Sequence, residues 1–83
     1  MERPSYYRLR VHAGREDLIV NAPTERDICI AGEQIVRHLF RVDLTAMYVI
    51  EGPDAECERR VRTYLIDVLS ELGSSGRELH RLI

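Results

Sequence analysis

The sequence predicts a small α+β domain of order β-β-α-β-α, a three-stranded sheet packed against two amphipathic helices. Three observations carry that reading. Residues 6–12 alternate apolar and polar side chains with a period of two. Two later stretches place apolar residues at helical spacing behind capping and acidic residues. Between them lies a short, β-rich apolar run bounded by glycine and proline.

In the first element, Tyr7, Leu9 and Val11 alternate with Arg8, Arg10 and His12, the pattern of a half-buried strand. Ala13-Gly14-Arg15-Glu16 supplies a turn in which glycine accepts positive φ. Leu18-Ile19-Val20 then forms a second strand, stopped by Asn21-Ala22-Pro23, so the pair reads as an antiparallel hairpin.

Thr24 opens a helix, with a hydroxyl at the N-cap and carboxylates in the first turn. Ile28, Ala31, Ile35 and Leu39 share one face, widened by Val36 and Phe40, while Arg37, His38 and Arg41 suit the C-terminal end. Gly32 interrupts the pattern at a cost of about 1 kcal/mol relative to alanine. It leaves open a short strand over residues 28–31 with a helix starting near Gly32, although the longer helix is favoured.

Residues 44–51 form an apolar run suited to a central strand covered on both faces. Gly52 ends it. Pro53 and Asp54 begin a second helix whose early acids, Asp54, Glu56 and Glu58, face the positive end of the helix dipole. Its expected core stripe is Cys57, Val61, Tyr64, Leu65, Val68 and Leu72, with Glu56–Arg60 and Glu58–Arg62 as i,i+4 pairs. Gly73 is the expected stop. Residues 74–83 read as a C-terminal appendage, a hinge followed by a short helix, and residues 1–5 as a tail on what is otherwise a single domain over residues 1–83.

Hairpin, crossing helix and third strand, over residues 6–51, resemble the first four elements of the β-grasp arrangement. The resemblance lies in element order, without a shared residue motif, and a long helix stands where the closing strands of that arrangement would come. Residues 7–14, Tyr-Arg-Leu-Arg-Val-His-Ala-Gly, resemble the opening strand of KaiB-type thioredoxin-like proteins. Those proteins pass directly into a helix and carry a later proline-rich segment; this chain does neither. Neither family is adopted.

Composition narrows the functions the domain could hold. With 83 residues, a net charge of −2 and a pI near 5.9, the chain is too acidic for a dedicated duplex-DNA binder. All 12 basic residues are arginine, which rules out Schiff-base, P-loop and basic-lysine chemistry. No apolar run is long enough to span a membrane, and residues 1–4 lack the start of a signal peptide. Cys29 and Cys57 stand 28 residues apart without CxxC spacing and read as buried thiols of a cytoplasmic protein.

His12, His38 and His80 fall on three different elements, none beside a Ser, Cys or Asp at motif spacing. Neither metal-ligand spacing nor a glycine-rich phosphate loop is present, so no enzyme, metal or cofactor is expected.

What remains is binding through arginine. Guanidinium forks match partner carboxylates, so Arg8, Arg10 and Arg15 along the hairpin and Arg59, Arg60 and Arg62 on the second helix are the candidate partner-binding residues. The expected partner is another protein. A homodimer is also expected, because a thin core gains stability from association and Ile66 and Tyr64 could seed the contact. The alternative is single-stranded nucleic acid, held on the first strand by the same arginines with Tyr6 and Tyr7 as stacking platforms.

Overall fold

The computed structural model describes residues 4–42, 46–72 and 80–82. The elements run β1 (Tyr7–Ala13), β2 (Glu16–Ala22), α1 (Glu25–Arg41), β3 (Ala46–Glu51), α2 (Ala55–Glu71) and β4 (His80–Leu82). The sheet order is β2-β1-β3-β4. β1 is antiparallel to both of its neighbours, and β4 runs parallel to β3.

The expected three antiparallel strands and two helices are therefore present in the expected order. One expectation is corrected: residues 80–82 are a strand paired with β3, where a short helix was predicted. Leu79 and Ile83, like the Gly73 stop and the hinge at residues 74–76, lie outside the described residues.

The hairpin follows from its turn. Gly14 takes φ +61, the left-handed value that two-residue hairpin loops favour, and Ala13 pairs with Glu16 on either side of it. That register sets every later pair, including Arg10 with Ile19. β2 is longer than the three residues predicted because pairing extends from Glu16 to Ala22 before Pro23 removes a donor.

β2 and β3 point the same way on opposite sides of β1, so α1 crosses over β1; α2 makes the next crossover, from β3 to β4. Right-handed crossovers moving in one direction put both helices on one face of the sheet. That face carries Tyr7, Leu9, Val11 and Ala13 of β1 and Ala46, Tyr48 and Ile50 of β3, all buried. The core is hydrocarbon apart from tyrosine; among the described residues no charged side chain is buried.

Burial of Tyr48 pushes its hydroxyl above the ordinary 10, since an ionised phenol has no place there. β3 is central, as expected, but it is covered on one face only. Met47, Val49 and Glu51 point to the uncovered side and are half-buried among their neighbours.

α1 begins where the longer reading put it. The Thr24 hydroxyl accepts the Asp27 N–H at 3.1 Å, closing the cap and excluding a strand over residues 28–31. Its buried face is Ile28, Gly32, Val36 and Leu39, so the glycine lies at the centre of the packed face. A Cβ there would come 3.1 Å from Leu65 Cδ2 and 3.4 Å from Leu9 Cδ2. The missing methyl is what lets α1 settle onto α2 and β1.

α2 is capped by Asp54, whose carboxylate accepts the Cys57 N–H at 2.8 Å. Its buried residues are Val61, Leu65, Val68 and Leu69. Tyr64 is 39% exposed and belongs to the seam with α1, outside the stripe predicted for it.

Candidate functional site

Arg8 and Arg10 lie on one surface and Arg60 on another, on opposite sides of the molecule. The first is the outer face of the sheet, which neither α1 nor α2 covers. Strand alternation sends Arg8, Arg10 and His12 to this face from β1, and the register places Asn21, Ile19 and Asp17 of β2 beside them. On the other flank stand Glu51, Val49 and Met47 of β3. The result is three rows across the sheet: Asn21–Arg8–Glu51, Ile19–Arg10–Val49 and Asp17–His12–Met47.

Polar contacts run across the face. Arg8 donates from Nε to Asn21 Oδ1 at 3.1 Å, donates from Nη2 to the Tyr6 hydroxyl, and lies 5.3 Å from the centre of the Tyr6 ring. Arg10 Nε stands 3.0 Å from Glu51 Oε1 as an ion pair. Glu51 Oε1 is buried, and this ion pair is its contact in place of a hydrogen bond. His12 Nδ1 meets Asp17 Oδ1 at 2.5 Å. Ile19, 60% exposed, is the most exposed large apolar side chain described.

The second surface is the seam between α1 and α2. Arg60 embraces the Glu25 carboxylate, with Nη2 at 2.8 Å from Oε1 and Nε at 3.1 Å from both oxygens. This contact lowers the Glu25 carboxyl below its ordinary 4.5 and raises Arg60 further. Arg37 donates to Glu33 at 2.8 Å on its own helix and to Glu71 of α2 at 3.1 Å.

Glu33 also accepts the Tyr64 hydroxyl, and these two contacts, Tyr64 before Arg37, lower its carboxyl. The predicted Glu56–Arg60 contact is present but long, at 3.7 Å. Glu58, predicted to meet Arg62, accepts the Gly52 N–H at 2.9 Å.

The six candidate arginines thus fall into separate places. Arg8 and Arg10 share the outer sheet face. Arg15 sits at the hairpin tip, beside a recess of about 440 Å³ that His38 and Leu39 also line. Arg59 and Arg60 border a shallow depression of about 400 Å³ with Thr63, Tyr64 and Asp67 on the exposed side of α2. Arg62 is half-buried, and its Nε has no hydrogen-bond partner.

β1 is paired on both sides, so it has no free edge for a partner strand; the free long edge belongs to β2. Tyr7, offered as a stacking platform, is turned into the core. There a hydrogen bond with the Cys57 thiol, followed by burial, pushes its hydroxyl up to about 12.

Cys29 and Cys57 are free thiols, half-buried where full burial was expected. Desolvation, reinforced by Glu25 and Glu33, pushes the Cys29 thiol up and away from the reactive thiolate. Among the described residues no group of three or more His, Cys, Asp or Glu side chains gathers at one point, and no helix is long and apolar enough to cross a membrane.

Sequence reasoning missed the residues that complete each surface: Ile19, Val49, Met47 and Glu51 on the sheet, Glu25, Glu33 and Glu71 at the seam. The hairpin turn carried the signal for Ile19, because a two-residue loop at Gly14-Arg15 sets it opposite Arg10. No local pattern marks the seam contacts, whose partners stand 31 to 35 residues apart. No family model, no curated protein and no solved structure matches this chain.

Proposed function

We propose that the domain is a non-catalytic protein-binding module, a regulator, an inhibitor or a small subunit of a larger assembly, and that it binds through the outer face of its sheet. One observation carries the reading: a sheet face left open by both helices, with Arg10 laid between the apolar side chains of Ile19 and Val49 and Arg8 in the neighbouring row. Protein-binding surfaces have this anatomy, apolar at the centre with arginine positioned to fork onto carboxylates.

Arg15, Arg59 and Arg62 are second-rank contacts on this reading. Arg60, held by Glu25, is the least free to leave its place. Free thiols fit a reducing, cytoplasmic setting. Single-stranded nucleic acid is the weaker alternative, for two physical reasons. Arg10 and His12 each have a carboxylate at hand, which cancels the field a phosphate backbone would need, and Tyr7 is buried.

The test compares the wild-type chain with Arg8→Glu/Arg10→Glu and with Val49→Asp in capture experiments and in titrations with single-stranded oligonucleotides at low salt. Loss of a captured protein in both variants, with an unchanged far-ultraviolet spectrum, is the expected result. Oligonucleotide binding that weakens log-linearly with salt would replace this reading with the alternative. A captured protein that both variants retain would move the site off this face.

A further inference from the structure

The long free edge of the sheet holds an inference beyond the outer face. β2 ends the sheet, so among the described residues nothing pairs with its far side over all seven residues. The hairpin register fixes which backbone groups that edge offers. Ala13 and Glu16 flank the two-residue turn and close the hairpin as a hydrogen-bonded pair. Antiparallel alternation then assigns the peptide groups of Glu16, Leu18, Val20 and Ala22 to β1, and leaves the N–H and C=O of Asp17, Ile19 and Asn21 aimed outward.

We propose that this edge is the docking site for a second copy of the chain, with the two β2 strands antiparallel about a two-fold axis at Ile19. In that register Ile19 meets Ile19 of the second copy, Asp17 meets its Asn21, and Leu18 meets its Val20. All three outward-facing residues then meet outward-facing residues, so every free N–H and C=O finds a partner across the axis.

Charge complementarity selects the arrangement. The acids of β2, Glu16 and Asp17, both lie at one end of the strand. Antiparallel pairing carries them to opposite ends of the joint and sets Asp17 against an amide. Parallel pairing would stack like charges side by side. The apolar residues agree: Leu18 and Ile19, 42% and 60% exposed in the single chain, fall at the centre of the joint on its two faces. The product is a two-fold, eight-stranded sheet in which the two arginine-bearing faces become one continuous surface.

Sedimentation equilibrium of the 83-residue chain, in the absence of any partner, tests this. The wild type is expected to pass from monomer to dimer across the micromolar range. Ile19→Lys sets two ammonium groups together on the axis and should leave only monomer. Asn21→Asp puts a carboxylate opposite Asp17 of the second copy twice per dimer and should weaken association about tenfold, while adding Asp17→Asn should restore it.

Ile19→Cys should oxidise to a dimer linked through position 19, because directly paired Cα atoms about 5.5 Å apart suit a disulfide; Leu18→Cys should not link to itself. The charge exchange keeps the proposal testable should Ile19→Lys disturb the hairpin. A chain that stays monomeric throughout, or a dimer indifferent to both Ile19→Lys and Asn21→Asp, would overturn it.

Discussion

The outer sheet face and the α1–α2 seam use the same chemistry to different ends. At the seam each guanidinium is committed within the chain: Arg60 to Glu25, and Arg37 to Glu33 and Glu71. On the sheet face the arginines lie across strands that are already hydrogen-bonded and hold nothing together that the ladder does not hold already. The difference teaches that arginine content alone does not mark a binding surface. What separates the two regions is whether removing the side chain would cost the fold or only the face.

Variants can break or sharpen that contrast. The largest effect is expected beneath the seam, where Leu65 is fully buried against the Gly32 backbone. Leu65→Ala should lower unfolding free energy by about 3 kcal/mol, read as a urea midpoint shift at unchanged slope. Thr24→Ala removes the cap that aims α1 into the seam and should cost about 1 kcal/mol in the same assay.

The seam should also respond to acid. Glu25 and Glu33 titrate below the ordinary 4.5. Their stabilisation is therefore complete above that value and lost as pH falls through their lowered values, and Glu25→Gln/Glu33→Gln should flatten this part of a thermal-midpoint profile. At the other extreme Tyr7 is raised to about 12, so stability should fall as pH climbs from about 10 towards 12, with less loss in Tyr7→Phe.

The smallest effect on stability belongs to the sheet face. Arg10→Ala should change unfolding free energy by less than about 0.5 kcal/mol. The same change should abolish partner capture, and a large loss of stability would erase the distinction between the two regions.

Much of the architecture was legible because it is written locally. Alternation in β1, the glycine turn, the Thr24 cap and the Asp54 cap each depend on residues a few positions apart, and each element stands where those signals put it. Two readings failed for non-local reasons. Gly32 looked like a flaw in α1 because only the approach of Leu65, 33 positions further on, shows why a methyl would not fit. Residues 80–82 looked helical because a short parallel strand has no signature apart from the strand it joins.

The arginines of α2 were legible in part. Arg60 keeps its expected contact with Glu56, at 3.7 Å, and also reaches across to α1, where it grips both oxygens of Glu25 more closely. The candidate face was half legible: β1 announced Arg8 and Arg10, while Val49 and Met47 needed the register of a distant strand.

The two margins of the sheet are unequal, seven residues along β2 against three along β4. Joining through the longer margin uses it up in one symmetric step and leaves only the stubs outside. In the proposed pair, growth would therefore end at a closed dimer, and the imbalance between the margins would disfavour open-ended fibre formation.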